Sequence, residues 1–251
     1  MSSHVSGCKQ RQVVLAGGGG AADSRLLDEV FAEWIGSGRL LYLPLALQEE
    51  RHTAAAEWLR STFEPLGVSH IESWSALDGH DARELTDFDG IYIGGGNTYR
   101  LLQQVRTSGF DKAITRFIGE GGPVYGGSAG AILLGSDIDT ALLAGDSNDV
   151  RLTSTRGLDV LSGWSVVCHY RARDLKRTHA STLHRGLRAL ALSERAGIIL
   201  DRDGARSLGT DAVVALDGAH VTHYRPGSTI PFASRRGTHT PLASVRAGGP
   251  P

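Results

Sequence analysis

Ser128 stands in Val124-Tyr-Gly-Gly-Ser-Ala-Gly-Ala-Ile-Leu-Leu134, an apolar run that enters a glycine-flanked serine and leaves it in a helix-forming sequence. The spacing Gly126, Ser128, Gly130 is G-x-S-x-G, the pattern of a sharp strand-to-helix elbow that holds a serine hydroxyl out of a sheet. A serine hydroxyl is a weak nucleophile until a base takes its proton. His169 closes the strand-like run Gly163-Trp-Ser-Val-Val-Cys-His169 and is the candidate base. Three glycines in Gly94-Gly-Gly-Asn97 let backbone N–H groups approach a substrate oxygen, which supplies half of an oxyanion hole. The chemistry these parts allow is acyl transfer: Ser128 attacks a carbonyl, His169 removes its proton, and backbone amides stabilise the oxyanion. A carboxylate must orient the histidine. Asp137, Asp139, Asp149, Asp201 and Asp203 are all candidates, and spacing does not select among them.

These residues need elements to carry them. Val13-Val-Leu-Ala16, Gly17 to Gly20 and a periodic segment with Leu26, Leu27, Val30, Phe31 and Trp34 read as strand, glycine turn and helix capped by Asp23-Ser24. Gly17, Gly19 and Ala22 formally satisfy the dinucleotide pattern G-x-G-x-x-G/A. The next strand, Arg39 to Ala46, ends in Leu47-Gln48 where a ribose-binding acid belongs, so these glycines read as structural. A helix is expected at about 50 to 64, a strand at 68 to 74, and a strand at 88 to 93 running into the second glycine turn. Helices follow on Tyr99, Leu101, Leu102 and Val105 and over 110 to 118. Beyond the elbow come polar, acid-rich loops at 135 to 139 and 145 to 149, the His169 strand, a basic run, and a helix at about 180 to 192. A buried strand at 196 to 201 and a hairpin at 211 to 224, turning on Asp217-Gly218, complete the pattern. Strands alternating with helices predict an α/β fold: a doubly wound, mostly parallel sheet with helices on both faces. In such a sheet the glycine turn and the elbow share one crevice at the carboxyl ends of the strands.

With 251 residues, 41% of them hydrophobic, the chain can bury a substantial core, and it reads as a single domain. A polar N-terminal segment (1–11) and a weakly ordered tail (about 234–251) are expected at its ends. Its 26 basic and 27 acidic residues leave a net charge of −1, which provides no global field to recruit nucleic acid or an anionic membrane. The expected partner is a small molecule, and a homodimer stays open. Cys8 and Cys168 are too few for a disulfide framework. No apolar leader and no stretch near the roughly 18 residues of a spanning helix appears, so a cytoplasmic protein is expected. No metal-ligand cluster such as H-E-x-x-H is present, and neither a metal nor another cofactor is expected.

Ile91-Tyr-Ile-Gly-Gly-Gly-Asn-Thr-Tyr-Arg-Leu-Leu102, together with Tyr125-Gly-Gly-Ser-Ala-Gly-Ala131, resembles the peptidase E and cyanophycinase family of serine peptidases. The likeness extends from about Val13 to Leu216. It implies a class I glutamine amidotransferase-like fold and a serine peptidase acting on small peptides, dipeptides or isopeptide-type substrates with an acidic residue. By resemblance Ser128 is the nucleophile and His169, in Cys168-His-Tyr170, is the base. Gly95 or Gly96 with the Ala129 N–H forms the oxyanion hole, and Asn97 belongs with the binding residues. Asn148-Asp149 resembles the segment that carries peptidase E's proposed aspartate, which makes Asp149 the preferred third member. Arg173 resembles an arginine that cyanophycinase-type members place four residues after the histidine, where a guanidinium suits a substrate carboxylate.

The chain also departs from the family. Leu200-Asp-Arg-Asp-Gly204 places Arg202 or Asp203 where members often carry a glutamate, the loop from Gly135 to Asp149 is longer, and the helix over 181 to 190 has no match to peptidase E's substrate arginine. Two other classes fit parts of the pattern. An α/β-hydrolase esterase would draw its histidine from His220, His223 or His239 after the last strand. A non-catalytic binding protein of the same fold would keep the pocket and lack a competent acid.

Overall fold

The structure, a computed structural model, describes residues 11–232. The N-terminal segment expected over 1–11, save Arg11, and the expected tail lie outside the described residues, as do Cys8 and His239. Five parallel strands form the body of a seven-stranded sheet in the order β3-β2-β4-β5-β1-β8-β9. They are β1 (Val13–Ala16), β2 (Arg39–Leu43), β3 (His70–Ser73), β4 (Gly90–Ile93) and β5 (Val124–Gly127). β8 (Ala196–Asp201) pairs with β1 antiparallel, and β9 (Gly204–Gly209) pairs antiparallel with β8.

Strands covered on both faces read as unbroken apolar runs, and β1 is one. Val13 and Leu15 join a core with α3 (Thr98–Thr107), α4 (Phe110–Gly119) and α5 (Ala129–Leu134). Val14 and Ala16 join the opposite core with α1 (Ala21–Ile35) and α2 (His52–Phe63). In that second core Phe31 is fully buried, with its ring edge-on to Tyr125 at 5.3 Å. Burying such a side chain contributes about 1.5 to 3 kcal/mol. Helices therefore cover both faces of a mostly parallel sheet, as the alternation of strands and helices predicts. α1 starts earlier than its Asp23-Ser24 signal implies, because Asp23 sits inside the first turn and accepts from the Gly20 N–H at 3.1 Å.

A second sheet, ordered β11-β10-β7-β6, contains β6 (Trp164–Val167), β7 (Arg188–Ala191), β10 (Val213–Asp217) and β11 (His220–Tyr224). The hairpin expected at 211 to 224 is β10–β11, paired from Val213↔Tyr224 to Asp217↔His220. The helix expected at about 180 to 192 is a correction. α7 (Leu175–His184) begins earlier and ends at Gly186, whose φ of 65° suits glycine. The chain then re-enters a strand. Residues 188–191 are good helix formers, but β7 is buried along its length between β6 and β10, and that packing overrides intrinsic propensity. Arg188 is 9% exposed and stacks over the Trp164 ring at 4.1 Å. α6 (Ala141–Ala144) is a short helix within the long loop after the elbow. Among the described residues no helix is long and apolar enough to cross a membrane.

Candidate active site

Register brings the site together. Ala16 of β1 lies opposite Gly127 of β5, and Ile93 of β4 lies opposite Gly126, so the turns after these three strands emerge at one edge of the sheet. Ser128 follows β5 with φ 50° and ψ −108°, a left-handed conformation that costs a non-glycine residue roughly 1 to 3 kcal/mol. The surroundings hold it there. Ser128 N–H donates to Ala16 O at 3.0 Å, and Ile132 N–H donates to Ser128 O at 3.0 Å to begin α5. The glycine two residues on is set by close approach, since a β-carbon on Gly130 would run into the Ile93 carbonyl oxygen.

His169 follows β6 and is also left-handed, with φ 53°. Its N–H donates to Gly17 O at 2.9 Å, which ties the second sheet to the turn after β1. Gly18 has φ +111°, and a β-carbon there would strike the imidazole at Cε1. The N-terminal glycine run thus makes room for the histidine. Cys168, beside it, is buried, and its Sγ lies 3.4 Å from Ser128 O. Burial drives its thiol far above the usual range, so it stays protonated and braces the elbow.

Ser128 Oγ and His169 Nε2 are 2.8 Å apart. On the other side of the ring, His169 Nδ1 is 3.1 Å from Glu194 Oε1. A neutral imidazole that donates from Nδ1 to Glu194 presents a bare Nε2 to the serine hydroxyl, the tautomer a general base requires.

The carboxylate beside His169 is therefore Glu194 and not Asp149. Asp149 is exposed and accepts from Ser147 Oγ at 2.6 Å. Its loop is spent on α3 instead: Asp146 accepts from Thr98 N–H and Oγ1, both at 2.7 Å, and Asn97 Nδ2 donates to Ser147 O at 2.9 Å. Asp201 pairs with Arg206 at 2.7 Å, and Asp203 N–H donates to Asp201 Oδ1. Both lie at the wrong end of the sheet. β8 runs antiparallel to β1, with Gly197 opposite Ala16 and Leu200 opposite Val13, so the residues that precede β8 reach the site. Asp137 is occupied by Asp139 N–H and Thr155, and Asp139 by Tyr99 and Arg185. Glu194 is held by its neighbours, because Ser193 Oγ and Arg195 both bind Asp211, at 2.8 and 2.9 Å.

A groove of about 550 Å³ opens beside Ser128 and His169. Gly95 lines it so closely that a β-carbon there would stand 3.3 Å from Ser128 Cβ. Ala129 is the first residue of α5, where an N–H has no intrahelical acceptor. Gly96 also lines the groove, yet its φ of +133° serves the close passage of the Ala46 carbonyl. Asn97 is a capping residue: Oδ1 accepts from Arg100 N–H at 2.9 Å. Arg173 is exposed on a turn after His169 and does not line this groove. The guanidinium that does is Arg51, before α2, which sequence reasoning passed over. Arg51 makes no ion pair among the described residues and stands beside Tyr42. His220 and His223 lie on β11, and the histidine bonded to Ser128 is His169. No group of three or more metal-binding side chains gathers among the described residues.

An elbow serine on a mostly parallel sheet, flanked by helices on both faces, is consistent with the class I glutamine amidotransferase-like fold. The family model for peptidase family S51 matches residues 13–207, and the chain belongs to that family. It is similar to the uncharacterized peptidase Lin0382 of Listeria innocua, at 35% identity over 39% of this chain and 47% of that protein. It is similar to peptidase E of Shigella flexneri serotype 5b, at 31% identity over 49% of this chain and 50% of that protein. The chain spans about half the length of these curated relatives. The crystal structure of a peptidase from an acI-B1 Actinobacterium shares the fold, with a TM-score of 0.72 at 19% identity, over 90% of this chain and 98% of that one.

Proposed function

We propose that the protein is a serine peptidase that hydrolyses small peptides, dipeptides or isopeptide-linked substrates bearing an acidic residue, through an acyl-enzyme on Ser128. One observation carries this reading: the continuous path from Ser128 Oγ through both ring nitrogens of His169 to Glu194, open to a groove of about 550 Å³. In the first half-reaction Ser128 Oγ bonds to the scissile carbonyl carbon while its proton passes to Nε2. Gly95 and Ala129 N–H groups meet the oxyanion. The amine leaves with the proton from Nε2, and water then attacks the ester by the same route. Glu194 fixes the ring and stabilises the imidazolium.

Membership of peptidase family S51 supports the peptide bond as the target. Glu194 is tested against Asp149 directly. Glu194→Gln is expected to lower kcat by roughly 10²- to 10³-fold, short of the ~10⁴ of a buried triad acid because solvent reaches this one. Its side chain is 53% exposed. Asp149→Asn is expected to keep the wild-type rate. Steady-state kinetics on one dipeptide decides, and the reverse ranking would reinstate Asp149.

The acidic preference is assigned to Arg51, not Arg173, because Arg51 lines the groove and lacks a carboxylate partner among the described residues. Arg51→Ala is expected to lower kcat/KM on an Asp-containing dipeptide by roughly 1.5 to 3 kcal/mol, the scale of a hydrogen bond to a charged group, and to spare a neutral ester. Equal losses on both substrates would give Arg51 a structural role.

A further inference from the structure

Glu194 meets His169 from a turn, and burial does not hold it there. Its side chain is 53% exposed, and it lines a second groove, of about 720 Å³, together with His169, Arg195 and Asp211. Water competes for its oxygens, and a long, flexible side chain has other rotamers open to it. What orders the acid has to come from the chain on either side. The turn lies between β7 and β8, where the chain crosses from the second sheet to the first, and Asp211 lies between β9 and β10, where it crosses back.

The two crossings are fastened together at the residues that flank Glu194. Ser193 Oγ donates to Asp211 Oδ2 at 2.8 Å, and Arg195 Nη2 donates to Asp211 Oδ1 at 2.9 Å. One carboxylate thus holds the residue before the acid and the residue after it. Ser193 Oγ also accepts from Arg195 N–H at 3.3 Å, and Arg195 O accepts from Thr210 N–H at 2.9 Å. The fit is close, since a β-carbon on Gly17 would strike Ser193 O and one on Gly209 would strike Arg195 O. The pairing has a second effect. Arg195 is the cation next to Glu194 in the chain, and a guanidinium paired with Asp211 is not free to draw Glu194 away from Nδ1.

We propose that Asp211 is a positioning residue for the reaction: by holding Ser193 and Arg195 it keeps Glu194 against His169. The inference rests on Glu194 as the carboxylate that orients the imidazole, and it adds a residue that acts only through Glu194. The ion pair itself contributes little to stability, because the Arg195 and Asp211 side chains are 57% and 32% exposed. Its weight falls on geometry, where a misplacement of about 1 Å costs on the order of 10²-fold in rate.

The full chain is assayed on an Asp-containing dipeptide as a cycle of Asp211→Ala, Glu194→Gln and the double variant. Asp211→Ala is expected to lower kcat by roughly 10- to 100-fold, to leave KM within about twofold, and to melt near the wild-type midpoint. Asp211→Asn keeps one acceptor oxygen and is expected to fall between Asp211→Ala and the wild type. In the Glu194→Gln background, Asp211→Ala is expected to cost less than about twofold, because no carboxylate is left to position. A residue that merely supported the fold would cost the same factor in both backgrounds. That result, or an Asp211→Ala variant at the wild-type rate, overturns the positioning role and leaves Glu194 in place. Should Asp211→Ala not fold, Ser193→Ala carries the cycle. It keeps the ion pair, releases one side of the turn, and is expected to lose several-fold in kcat with Glu194 present and nothing in Glu194→Gln. Glu194→Gln at the wild-type rate would instead overturn Glu194 itself, and Asp211 with it.

Discussion

Ser128→Ala is expected to lower kcat on a cleavable dipeptide by roughly 10⁴- to 10⁶-fold, leaving only the rate that oxyanion contacts and binding supply without a nucleophile. The fold is expected to survive. The Ser128 side chain contributes its bond to His169, whereas the links that shape the elbow run through its backbone, from Ser128 N–H to Ala16 O and from Ile132 N–H to Ser128 O. Alanine bears the left-handed φ of 50° at a cost similar to that of serine. Circular dichroism and the thermal midpoint should therefore match the wild type while activity disappears. A variant that kept most of its activity would remove Ser128 from the chemistry.

His169→Ala is expected to lose about as much, because the nucleophile and its base act as a unit; the Ser128→Ala/His169→Ala double variant should be no worse than either alone. Added imidazole supplies a second readout. Removing the ring empties the space between Gly18, Ser128 Oγ and Glu194 Oε1, where the imidazole now sits. Free imidazole is expected to restore part of the rate in His169→Ala and none in Ser128→Ala. Additive losses without rescue would mean that His169 supports the elbow rather than takes its proton.

The parts of this site legible in the sequence are those written in a few adjacent residues. Gly126, Ser128 and Gly130 announce an elbow because the backbone geometry and the Ile93 carbonyl demand those residue types locally. His169 is legible as the polar residue that ends an apolar strand, and the glycine turn over Gly94 to Gly96 for the same kind of reason. Glu194 is different. Its place depends on β8 running against β1, a pairing between residues far apart in the chain, and a parallel β8 would bring Asp201 and Asp203 to the crevice instead. The tight turn between β8 and β9 hints at an antiparallel edge, but it does not say which way β8 meets β1. β7 was hidden for a related reason: its residues favour a helix, and only burial between β6 and β10 makes them a strand. Asn148-Asp149 drew attention by local likeness, while the tertiary role in its loop belongs to Asp146 at the head of α3. Arg51 carries no motif, and it reaches the groove only because α2 packs beside the turn after β2.

Activation of Ser128 by His169 for covalent catalysis can be read out by adduct mapping. The purified protein would be incubated with a fluorophosphonate and digested, and the modified residue located by peptide mass spectrometry. A single adduct on Ser128, abolished in His169→Ala, is expected. A folded protein that takes no adduct, or takes it on another residue, would contradict that activation.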